Sequence, residues 1–130
     1  MENIKKQDDK FVIQGYILKK YVGEAVDVAI PKGIKRIEDG AFEDNERIRS
    51  VVIPDSVNSI GNRAFRGCIR IQTINIPDSV VLMGSCVFQN CHSLKNVKLS
   101  NNLNKISYRA FGGCSSLENV TAPEKLEEIC

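Results

Sequence analysis

The chain has no tryptophan, a single histidine and only 6% aromatic residues. It also lacks any apolar run near the ~18 residues a membrane helix needs. Excess charge of either sign is missing as well. Eighteen Lys and Arg stand against sixteen Asp and Glu, for a net charge of +2. That balance gives no ground for nucleic acid or an anionic membrane as partner. The opening MENIKKQDDK has neither the basic start nor the apolar stretch of a secretory signal, so the chain as given is expected in the cytoplasm. Five cysteines are an odd number and a poor fit to a closed disulfide framework.

What is present suits one globular domain. The chain has 130 residues, 42% hydrophobic and 26% charged. Its strongest signal is internal repetition. Pro31, Pro54 and Pro77 are 23 residues apart, Ser100 takes the next slot, and Pro123 resumes the series. Phe42, Phe65, Phe88 and Phe111 follow the same 23-residue step, as do Cys68, Cys91 and Cys114. Ile37, Ile60, Met83, Ile106 and Ile129 keep that step too.

One unit reads approximately LxxVxIPxSVxxIGxxAFxxC. Burying its apolar side chains does not offset the conformational entropy of ordering the unit. Each unit therefore depends on stacking against a neighbour, which is the logic of a solenoid. The alternations Val51-x-Ile53, Ile74-x-Ile76 and Val97-x-Leu99 have period two and predict short strands closed by proline. The segment GNRAFRGC, residues 61–68, predicts one or two helical turns stopped by Gly67. The expected fold is an α/β repeat solenoid with a parallel β-ladder and short helices.

These residues resemble a known family. LKNVKLSNNLNKI, residues 94–106, is similar to the leucine-rich repeat consensus LxxLxLxxNxL. IPDSVNSIGNRAFRGC, residues 53–68, resembles the BspA-like branch, whose unit has this length and signature. The resemblance covers residues 28–130, with departures at Glu38, Asn45, Ser100 and Ser107. It implies a right-handed leucine-rich repeat. It also implies surface display and adhesion to host or neighbouring-cell proteins, often within a larger chain. Residues 11–27 resemble the N-terminal strand pair that often precedes such repeats.

The expected organisation is a flexible tail (1–10), a capping hairpin turning at Gln14-Gly15 (11–27), and an array of four full repeats and a truncated fifth (28–130). The fifth unit starts at Val120 and stops at Cys130, before its AF segment. That leaves an uncapped end, and the expectation is either a fragment of a longer array or an end covered by another chain, as in a homodimer.

Cys68, Cys91 and Cys114 occupy one repeat position and are expected to form a buried ladder of small apolar side chains. A row of thiols does not converge as zinc ligands must. His92 falls in a variable slot, outside any nucleophile pair with a buried Cys91. No catalytic residue, cofactor or metal site is expected. Cys86 differs from its ladder neighbours, because it matches Gly40, Arg63 and Arg109 in a solvent-facing slot. A helix N-terminus and flanking guanidinium groups would make it a candidate reactive thiol.

Two surfaces are candidates for protein binding. Ser50, Val52, Thr73, Asn75, Asn96 and Lys98, with Asn119 and Thr121, form the outward face of the longer strands, the usual binding surface of such arrays. Val81 and Leu82 interrupt a row that is polar in the other units. The expected function is a non-enzymatic interaction module with a protein partner. The alternatives are an intracellular scaffold and a thiol-based redox or metal-binding protein.

Overall fold

The computed structural model describes residues 10–103, 105–123 and 128–129. In the described residues there are twelve strands and no helix. They are β1 (Phe11–Gln14), β2 (Ile17–Tyr21), β3 (Asp27–Ala29), β4 (Arg36–Ile37), β5 (Ser50–Val52), β6 (Ser59–Ile60), β7 (Thr73–Asn75), β8 (Leu82–Met83), β9 (Asn96–Lys98), β10 (Lys105–Ile106), β11 (Asn119–Thr121) and β12 (Glu128–Ile129). The result is a β-solenoid of about five turns with parallel strands.

Each turn gives one three-residue strand to a long-strand ladder and one two-residue strand to a short-strand ladder. In the long ladder β3 pairs with β5, and β7, β9 and β11 pair in sequence, all in parallel. The short ladder runs β2, β4, β6, β8, with β10 paired to β12. Register is set at the period of the sequence. Asn96 faces Thr73, and Ser59 faces Arg36, each 23 residues away. Alternation follows: Ile74 and Val97 are buried between exposed neighbours.

The segment expected to be helical is a turn instead. Arg63 N–H donates to Ser85 O (2.9 Å), Phe65 N–H to Val87 O (3.0 Å) and Gly67 N–H to Gln89 O (2.8 Å), all in the next unit. Arg63 (φ 58°) and Gly67 (φ 76°) adopt the left-handed conformation. The reason is geometric: amides aimed along the stack are unavailable for i→i−4 bonds. The turns therefore form a third hydrogen-bonded wall.

A column of rings fills the interior. Phe11, Tyr21, Phe42, Phe65, Phe88 and Phe111 follow one another at centroid separations of 5.2, 5.5, 5.0, 5.6 and 5.7 Å. From Phe42 to Phe111 the planes lie within 11° of parallel. The column begins in the β1–β2 hairpin, whose β2 extends the short ladder alongside β4. The hairpin turns at Gly15 and Tyr16, one residue later than the sequence suggested, because Gly15 holds the positive φ of 61°. Tyr16 is therefore exposed at the tip.

The glycine of the IG signature has a steric cause. A Cβ at Gly61 would stand 2.6 Å from the Asp39 backbone nitrogen, and one at Gly84 would stand 2.7 Å from that of Asn62. The close approach lets Asp39 Oδ1 accept from Asn62 N–H, and Asn62 Oδ1 from Ser85 N–H, both at 2.8 Å. Where proline gives way to Ser100, the buried hydroxyl donates to Val80 O at 2.6 Å and accepts from Asn102 N–H at 3.0 Å.

Residues 1–9 and 124–127 lie outside the described residues, as does Cys130. The expected tail therefore falls outside, apart from Lys10, whose carbonyl accepts from Val22 N–H at 2.8 Å. The end expected to dimerise falls mostly outside as well. No helix of the described residues is long and apolar enough to cross a membrane.

Candidate functional site: the outward face of the long strands

The register places the sequence-derived residues on two rows. Thr73, Asn96 and Asn119 form one, and Asn75, Lys98 and Thr121 the other. All six line one shallow hollow of about 530 Å³. Within it the Asn119 amide donates to Asn96 Oδ1 at 2.8 Å. Lys98 is the only charged side chain on that lining. The surface offers carboxamides, hydroxyls and one ammonium, a set that hydrogen-bonds to polypeptide or other polar ligands.

Ser50 and Val52 belong to the same face but to a separate section. β5 does not pair with β7, so the long ladder divides there. Bonds made at other junctions are missing at this one. Ile30 N–H donates to Val52 O and Ile76 N–H to Lys98 O, whereas no bond joins Ile53 N–H to Asn75 O among the described residues. Beside the break lies a second hollow of about 360 Å³, lined by Asp27, Arg49, Ser50, Arg70, Gln72 and Thr73.

Asp27 anchors that second hollow. Arg49 donates to both its carboxylate oxygens (3.2 and 3.3 Å), and the Ser50 hydroxyl donates to Oδ1 at 2.7 Å. The Arg49 hydrogen bond, followed by that of Ser50, holds the Asp27 carboxyl below its usual range. Arg49 and Arg70 sit at the margin of the face. The 23-residue frame already put Asp27 on the row of Ser50, and that signal could have located the pair. Val52 is 63% exposed and borders an apolar hollow with Ala29, Ile30, Ile53 and Pro54.

Val81 and Leu82 are not part of this site. Leu82 lies in the short ladder opposite Ser59, 65% exposed, beside Val81 at 48%. They form a separate apolar spot. Tyr108, also exposed, receives the Arg109 guanidinium on its hydroxyl (2.6 Å) and under its ring.

The cysteines separate as individual groups. Cys68, Cys91 and Cys114 donate Sγ–H to the carbonyls of Phe42, Phe65 and Phe88 at 3.2, 3.1 and 3.0 Å. Burial raises all three thiols, Cys91 to about 12, so they stay protonated. Where Asn45 replaces the first cysteine, its Oδ1 accepts from Arg47 and Ile48 N–H at 2.9 and 3.0 Å. Cys86 is half-buried in a turn with φ 59°. The helix N-terminus invoked for its reactivity is not there. Its flanking guanidinium groups are engaged elsewhere, Arg63 with Glu43 at 3.7 Å and Arg109 with Tyr108.

This architecture defines a class: a parallel β-solenoid that holds side chains in fixed rows on an outward sheet. Residues 13–130 match the BspA type leucine-rich repeat region in six copies, and the chain belongs to that family. A frame counted from residue 28 holds fewer units, so the match reaches back into the hairpin. Among solved structures, a leucine-rich repeat protein from Eubacterium ventriosum is 24% identical (TM-score 0.72), covering 84% of this chain and 36% of its own. A leucine rich cell surface protein from Faecalibacterium prausnitzii is 21% identical (TM-score 0.68; 82% and 35% covered). The pneumococcal vaccine antigen PcpA is 24% identical (TM-score 0.66; 88% and 27% covered). These likenesses show the fold, and this chain spans about a third of the first two and about a quarter of the third. A comparison with curated proteins finds no match.

Proposed function

We propose that this chain is a protein-interaction module whose ligand surface is the outward face of the long strands, centred on Thr73, Asn75, Asn96 and Lys98. The carrying observation is that four side chains singled out by spacing alone line one hollow together with Asn119 and Thr121. The family and the cell-surface description of the Faecalibacterium protein support adhesion as its setting. Ser50 and Val52 extend the same surface across the break, and Val81 and Leu82 offer a smaller second contact on another wall.

The test is a pull-down comparing wild type, a Ser50/Asn75/Lys98 alanine variant and a Val81→Glu/Leu82→Lys variant. The sheet variant should lose a specific partner that the other variant retains. If neither weakens a specific partner, both surface assignments fail.

A further inference from the structure

The N-terminal hairpin covers only half of the first turn. β2 lies on β4 in the short ladder, while β3 in the long ladder has β5 on one side and no strand on the other among the described residues. The hydrogen bonds show which backbone groups point outward. Val26 O accepts from Arg49 and Ser50 N–H (2.7 and 3.2 Å), and Ile30 N–H donates to Val52 O (3.0 Å). Backbone groups alternate sides along a strand, so the N–H and C=O of Asp27 and Ala29 face away from β5. None of those four groups has a partner among the described residues.

Next to this edge is a hollow of about 300 Å³ lined by Lys10, Phe11, Tyr21, Ala25, Asp27, Val28 and Ala29. Its walls are mostly apolar, with Phe11, Tyr21 and Val28 reaching it from the core. Of its two charges, the Asp27 carboxylate is already held by Arg49. Lys10 is left to set the preference for a ligand.

We propose that the open edge of β3 docks an extended peptide carrying acidic residues. The peptide adds to the long ladder as one more strand, bonding to the N–H and C=O of Asp27 and Ala29. One of its apolar side chains enters the hollow, and an acidic residue meets Lys10. Unpaired edges with an adjacent side-chain pocket are the requirements of strand addition. The docking edge uses the backbone of Asp27 and Ala29 and not the hollow of Thr73, Asn75, Asn96 and Lys98, so each reading can fail without the other.

The test uses the full chain, labelled with ¹⁵N, and a blocked hexapeptide Glu-Thr-Ile-Asn-Ile-Glu. Titration should shift the Asp27 and Ala29 amides saturably and slow their hydrogen exchange by at least about tenfold. N-methylating one alternate set of peptide residues should abolish binding and the other set should not, the signature of a strand. Lysine in place of both glutamates should weaken binding several-fold. Ala29→Pro removes an N–H that the β3–β5 ladder does not use. It should lose the peptide while keeping its unfolding midpoint. If that variant unfolds, the N-methyl pair still decides. The proposal is overturned if the peptide leaves these amides unmoved or shifts Asn75 and Lys98 instead. It is equally overturned if the free chain already protects both amides, through its own residues at all concentrations or through a second copy as concentration rises.

Discussion

The Cys91 thiol donates to the Phe65 carbonyl at 3.1 Å, and so ties one turn of the solenoid to the turn before it. Its neighbours Cys68 and Cys114 repeat the bond. The ladder acts as a hydrogen-bonded seam beside the phenylalanine column.

That seam makes stability depend on alkaline pH. An ordinary thiol here would titrate near 9.0, and burial raises Cys91 to about 12 and Cys68 higher still. The unfolded chain loses these protons first. The thiol contribution is complete below pH 9 and is lost as pH rises toward the folded values. Above pH 9, each buried thiol should steepen the fall in unfolding free energy by ~1.4 kcal/mol per pH unit. Denaturant melts of wild type and Cys91→Ala from pH 7 to 11 check this. Equal slopes would contradict it.

Thiol labelling separates the cysteines. Cys86 should react before Cys68 and Cys91, which are fully buried. It should react no faster than a cysteine in an unstructured peptide, since no helix end supports it. Mass spectrometry of timed alkylation reads both rates, and a faster Cys86 would restore the reactive-thiol reading.

Gly84→Ala should cost about 1–3 kcal/mol, because the added methyl meets the Asn62 backbone nitrogen as well as its side-chain oxygen, and the backbone cannot swing aside. Chemical denaturation measures it. A neutral result would mean that adjacent turns can separate at no cost.

Ser100→Ala should cost about 1–3 kcal/mol, by removing a buried hydroxyl from the Val80 carbonyl and the Asn102 amide. The same melts test it, and a stabilised variant would show that the hydroxyl is not used.

Much of the stack was legible because a strict period makes every inward position repeat. Phe42, Phe65 and Phe88 are core for one reason, and finding one finds all three. The helical reading of residues 61–68 failed because Ala and Phe between glycines look alike in a helix and in a turn. The difference lies in amides such as Phe65 N–H, which bond to the next unit, and local sequence does not record that. The break between β5 and β7 was hidden for a similar reason, since Ser50 and Thr73 keep their spacing across it. The outward face of the long strands was legible as rows. The Asp27–Arg49 pair was not, because Asp27 precedes the residues where the repeat was recognised.

One unbroken column of inward rings runs through these turns and holds them as a single stack. Equilibrium urea unfolding of Phe88→Ala tests it most directly, because Phe88 is fully buried between Phe65 and Phe111. The expected loss is ~3–5 kcal/mol. A loss below about 1 kcal/mol, as at exposed positions, would contradict it.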